Sequence, residues 1–180
     1  MLYVTGLALL AGAVIGLATG GRPRFVMQHK VRAGWLVLVG FGLQVLSGRI
    51  DRVTLSTVAV LLGAAALLAF AALNPSLTGI GVVAVGVAAN ALVIGLNDGM
   101  PVHPAAVVAA EIASAAQVPS LDYGTRHRQE QPGDRLQFLD DRIPLPAFHE
   151  VMSFGDLILA VGVTDAVAHL LRKVPGHTRA

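Results

Sequence analysis

Asp141 and Asp156 are the side chains in this sequence best suited to chemistry. Two carboxyls brought close together share one proton, because both cannot ionise cheaply. One member can then act as base toward water while the other acts as acid. Asp156 also closes Ser153-Phe154-Gly155-Asp156, which fits the S-x-x-[DE] capping box, so a purely structural role stays open. Asp140 directly precedes Asp141. Neighbours in extended chain point to opposite sides, so one of the two is expected to face inward. Asn90 and Asn97 lie seven apart, two turns along one helical face. Asn97 opens Asn97-Asp98-Gly99-Met100-Pro101-Val102-His103, and Asn90, Asn97 and His103 are the substrate-binding candidates. The same stretch reads equally well as a helix stop. Asp165 and His169 are i,i+4 neighbours with Arg172 one turn on. They are read as a structural polar pair, with a proton relay as the rival.

Other chemistries lack residues. There is no cysteine, hence no disulfide, thiolate nucleophile or thiolate metal site. The six histidines form no HExxH, so no metal or cofactor is expected. The net charge of +2 comes with no basic patch interleaved with aromatics, and a nucleic-acid partner is not expected.

The elements that must hold these groups are apolar helices. Only 13% of the residues are charged, against about 25% in soluble domains, and 54% are hydrophobic. A bilayer core of about 30 Å takes roughly 17–25 apolar residues per helix. Runs at 2–20, 33–48, 53–73, 78–96 and 151–171 meet or approach that length. The expected fold is therefore all-α: a single polytopic transmembrane bundle of about five spans in the bacterial cytoplasmic membrane. No Lys or Arg precedes the first run, so it is read as a retained helix rather than a signal peptide. Segment 104–117 is too short for a span and is read as interfacial, re-entrant or bundle filler.

With the N-terminus outside and the C-terminus inside, the cytoplasmic segments carry Arg22, Arg24, Lys30, Arg32, Arg172, Lys173 and Arg179 without an acid. The loop 97–150 is then extracytoplasmic. Gly12, Gly16 and Gly20 make a GxxxGxxxG face. It suits packing within the bundle, or alternatively a homo-oligomer contact.

Three blocks carry a resemblance. Asn97-Asp98-Gly99-Met100-Pro101-Val102, Phe138-Leu139-Asp140-Asp141-Arg142-Ile143-Pro144 and Ser153-Phe154-Gly155-Asp156 resemble, in order, a family of small bacterial membrane proteins of unknown function. That family aligns its acid with Asp141. The blocks are also similar to those of lipoprotein signal peptidase, an aspartyl enzyme of the inner membrane. That likeness implies Asp141 and Asp156 as the dyad and Asn97 as a substrate-positioning residue. The chain departs from the peptidase in having Phe154 and Gly155 where an Asn precedes the second acid. Two functional classes follow: an aspartyl-type hydrolase acting on a lipid-linked or membrane-anchored substrate, or a non-enzymatic binding, transport or assembly subunit whose aspartates cap helices.

Overall fold

The computed structural model describes residues 2–173; Thr178 and Arg179 lie outside the described residues. Five apolar helices form the body: α1 (Leu2–Ala18), α2 (Trp35–Ser47), α3 (Val53–Leu73), α4 (Ile80–Asn97) and α6 (Phe154–Leu170). A short helix, α5 (Pro104–Ala109), lies between the last two. The packing order is α2–α3–α4–α6–α1, so the first helix rests on the last.

Small residues set the crossings. A Cβ at Gly12 would meet the Thr164 carbonyl and Val167, and one at Gly16 would meet Leu171 and the Ala168 carbonyl. The glycine face of α1 is thus filled at Gly12 and Gly16 by α6 of the same chain, the packing within the bundle that the GxxxG spacing suits. Gly20 stands apart, in left-handed backbone beyond the helix end. On α4 and α6, Gly86 sits against Gly155 and Leu159, and Gly162 against Val82 and Val83. Gly40 and Gly63 bring α2 onto α3.

Hydrogen bonds sort the helix ends into two groups. At one end the Arg22 N–H donates to the Leu171 carbonyl (2.7 Å), and Asn74 clamps the backbone of Arg32 through both its amide atoms. At the other, Ser56 Oγ donates to the Ser47 carbonyl, Thr125 reaches Ser56, and the Tyr3 ring stacks on Phe148.

Among the described residues, two helices, α3 and α4, are long and apolar enough to cross a membrane. The five long runs expected from sequence do become helices, but three are shorter than that. α1 and α6 have 17 residues and α2 only 13, or about 20 Å of rise. The cause in α2 is local. Ala33 adopts a positive φ just before the helix, and Gly48 ends it.

The chain is mostly helical rather than all-α. Residues between α4 and α6 build a compact cap that sequence reading left as loop. β1 (Met100–Val102) pairs in parallel with β2 (His127–Gln129), and β3 (Ile143–Leu145) pairs antiparallel with β4 (Glu150–Met152). Val102, Val107 and Val118 form its buried centre, with Leu121, Tyr123 and Val151 packed against them. Segment 104–117 is therefore part of this cap: α5 followed by turns.

Candidate functional site

The cap and the bundle meet at Asp141 and Asp156. Asp156 sits in the first turn of α6 because Ser153 caps that helix. The Asp156 N–H donates to Ser153 Oγ and the Ser153 N–H donates to Asp156 Oδ2, each at 3.0 Å. Asn90 Nδ2 on α4 donates to the other oxygen, Oδ1, at 2.5 Å, while Asn90 Oδ1 accepts from Ser153 Oγ at 3.0 Å. Both carboxylate oxygens are thus held. The close approach depends on Gly155, where any Cβ would overlap Asn90 Oδ1.

Asp141 arrives from the cap. Its N–H donates to the Pro101 carbonyl and its carbonyl accepts from the His103 N–H, which ties it beside β1 as a bridge partner of Val102. The side chain is buried. Oδ1 has no hydrogen-bond partner among the described residues, and Oδ2 lies 3.6 Å from His127 Nε2, within ion-pair reach but beyond a hydrogen bond. Burial, then the charge of Asp156, then that of Asp140 push the Asp141 carboxyl well above the usual carboxylate range. Burial and the neighbouring Arg126 hold His127 down, to about 4. Burial thus favours the uncharged form of both side chains, the Asp141 carboxyl and the His127 imidazole it faces.

His127 had no sequence signal. It lies in a stretch of mixed charge that reads as exposed loop, and only the parallel pairing of β2 with β1, through Met100 and His127, brings it to Asp141. Asn90 sits at the site as the residue that positions Asp156 and Ser153. Asn97 does not join it: its amide donates to the Val93 and Arg135 carbonyls and its oxygen accepts from the Arg135 N–H, pinning the cap to the end of α4. His103 pairs through Nδ1 with Glu130, which also takes Arg142 Nη2 at 3.2 Å. Asp165 and His169 meet far down α6, with His169 Nδ1 3.0 Å from the Asp165 carboxylate and 2.9 Å from its backbone carbonyl. Among the described residues, no group of three or more acidic, His or Cys side chains could hold a metal.

Both Asp140 and Asp141 are buried, against the expectation that one would face out. The alternation rule assumes a strand with one wet face, whereas here cap and bundle enclose both sides. Neither carboxylate oxygen of Asp140 has a hydrogen-bond partner among the described residues. Burial and the nearby Glu130 charge raise its pKa to about 6. A pKa raised in the fold means the native state keeps its proton longer than the unfolded chain. Stability is then greatest below about pH 4 for this group and falls as pH rises through about 6. Asp140→Asn should remove that slope and raise stability at pH 7 by an amount on the order of 2 kcal/mol. Thermal melts of both proteins at pH 4.5 and 7.5 check this; equal slopes would contradict it.

A model of a family of unknown function, DUF5317, matches residues 28–168. The chain belongs to that family. The DUF5317 match takes in α2 through most of α6, including Asn90, His127, Asp141, Ser153 and Asp156, and leaves out all of α1. No curated protein and no solved structure matches the chain, so the likeness to the signal peptidase rests on three short blocks of residues alone.

Proposed function

We propose that this DUF5317 protein is an integral membrane protein of five membrane-embedded helices, with the cap on the outer face. Its carboxyl pair, Asp141 and Asp156, would be an aspartyl-type acid–base site that hydrolyses a membrane-anchored substrate. The membrane part is supported by an inverted distribution of side chains. Leu38 (75% exposed), Val45 (63%) and Leu10 (60%) face outward, while Ala64, Ala168, Ser47 and Ser56 are buried. In water the large aliphatics would be inside; in lipid they gain nothing by burial, and small residues allow close helix packing. α2 is short for a span, and Arg32 and Arg49 at its flanks extend to the interfaces. Sorting the basic residues gives the orientation, N-out and C-in.

The chemical part is carried by one observation: the buried Asp141, with one oxygen that has no hydrogen-bond partner among the described residues, lies close enough to feel the charge of an Asp156 whose two oxygens are fixed by Ser153 and Asn90. Asp156 as base takes a proton from water, whose oxygen bonds to the carbonyl carbon of an amide or ester. Asp141 as acid delivers its proton to the leaving nitrogen or oxygen as that bond breaks. The products are a carboxylic acid and an amine or alcohol. The pair is closed in this arrangement, so the hairpin of β3 and β4 must lift for substrate to enter. Comparing membrane lipids and lipid-anchored proteins of cells carrying wild type, a deletion or Asp156→Asn tests this. An uncleaved species should accumulate equally in the last two, and identical profiles in all three would refute hydrolysis.

The complete capping box favours a second reading, in which Asp156 only terminates α6 and the protein is a non-enzymatic binding, transport or assembly subunit.

Orientation has its own test, made clean by the absence of cysteine. Ser120→Cys in the cap should react with an impermeant maleimide on intact cells, and Thr178→Cys should not. Labelling at position 178 alone would reverse the orientation.

A further inference from the structure

The outer flank of the α1–α6 pair carries an open groove of about 470 Å³, within the range of small-ligand sites. Leu7, Ala11 and Ile15 form one wall, with Val161 and Ala168 on the other. Its far end is polar. His169 Nδ1 lies 2.9 Å from the Asp165 backbone carbonyl, its hydrogen-bond partner, and 3.0 Å from the Asp165 carboxylate, and Arg172 Nη1 lies 3.1 Å from His169 Nε2. With the Nδ1 proton directed at Asp165, Nε2 accepts from the guanidinium and draws Arg172 back into the groove mouth. Arg172 also donates from Nη2 to Thr19 Oγ1 at 3.3 Å. Around that mouth the chain presents Arg22, Arg24 and Lys173, and no acid between Thr19 and Arg32.

A polar cluster that ends an apolar groove on a lipid-facing surface needs an occupant that is apolar along its length and anionic at one end. We propose that the α1–α6 groove is a binding site for an anionic phospholipid of the inner leaflet, with one acyl chain along Leu7, Ala11 and Val161 and the phosphate against Arg172. This rests on the membrane-embedded reading above, though not on the hydrolase. Basic residues near the surface attract anionic headgroups generally. The groove adds a place for the chain and a guanidinium already held in position. The Asp165 backbone carbonyl orients the imidazole that steadies Arg172; the Asp165 carboxylate also lines the groove, and the basic residues of this end of the chain outnumber it.

The test uses the full chain, purified in detergent and delipidated, then melted and weighed by native mass spectrometry with dioleoyl phosphatidylglycerol, dioleoyl phosphatidylcholine or soluble glycerol phosphate. Phosphatidylglycerol should stay bound and raise the melting temperature by several degrees more than phosphatidylcholine, and glycerol phosphate should do nothing. Arg172→Gln should erase the difference between the two lipids. Ala11→Phe, which fills the exposed groove, should erase retention of phosphatidylglycerol. Lys30→Gln, at the same end but off the groove, should change neither. Equal effects of the two lipids, stabilisation by glycerol phosphate alone, or an equal loss in Lys30→Gln would each overturn the site. Extraction by alkaline carbonate would bring down the membrane reading with it. An integral protein without lipid preference would fail this inference alone.

Discussion

Replacing Asp141 by Asn should make the uncleaved species accumulate as it does in the deletion strain, while costing less than about 1 kcal/mol of stability. The reason is that burial and the charge of Asp156 already push the Asp141 carboxyl toward its uncharged form in the fold. An amide of the same shape keeps the packing and deletes the proton that chemistry needs. Asp156→Asn should be as inactive but less stable, by about 1–2 kcal/mol, because Asp156 accepts from both Ser153 and Asn90 and an amide offers one acceptor where there were two. The double variant should be no less active than either single one, since members of one catalytic unit are not additive. Asp156→Glu separates the two functional readings. A capping acid tolerates the longer side chain at a cost of about 1 kcal/mol, whereas a catalytic carboxylate displaced by about 1 Å loses activity heavily. Deletion-strain complementation with detergent melts on the same variants measures both. Full complementation by Asp141→Asn would leave the capped bundle as the surviving account.

The second large effect concerns packing. Gly162→Ala should destabilise the bundle by about 1–3 kcal/mol or prevent folding, because the new methyl group would stand 2.5 Å from the Val83 nitrogen and 3.0 Å from the Val82 carbonyl carbon. Backbone cannot swing aside as a side chain would, so α4 and α6 must separate, and the Asn90 contact that orients Asp156 would loosen with them. Gly42→Ala is the contrasting substitution. Nothing lies within 4 Å of its added methyl, and it sits inside α2, so it should stabilise by about 0.5–1 kcal/mol. Thermal scans of the two variants beside wild type decide the matter; similar melting for Gly162→Ala would mean the helices are less tightly engaged than their geometry implies.

The long helices were legible because an apolar run of that length announces itself through composition, whatever it packs against. α3 is read from sequence as 53–73 and forms over Val53–Leu73. The capping box at Ser153 and Asp156 was legible for the opposite reason: it is a local device whose partners lie three residues apart. What joins distant segments was not. Three-residue strands such as β1 and β2 are too short for an alternating pattern, and a parallel pairing between Met100 and His127 leaves no trace in either segment. His127 was invisible for that reason. Asn90 was legible as a costly polar group in an apolar helix, but its partner lies 66 positions away and no spacing rule connects them.

The pairing of α1 with α6 also has a consequence in time. A chain emerging from the ribosome completes its first helix at Ala18 and its matching last helix only near Leu170. At about 5–20 residues per second, the notch made by Gly12 and Gly16 waits roughly 8–30 s for the ridge that fills it. During that interval α2 and α3 can already close on each other, while α1 and the inner face of α4 have no docking surface. A nascent chain halted before residue 154 would therefore present two unmatched helix faces at once. Such a product should be recognised and cleared by proteases rather than persist as a smaller bundle.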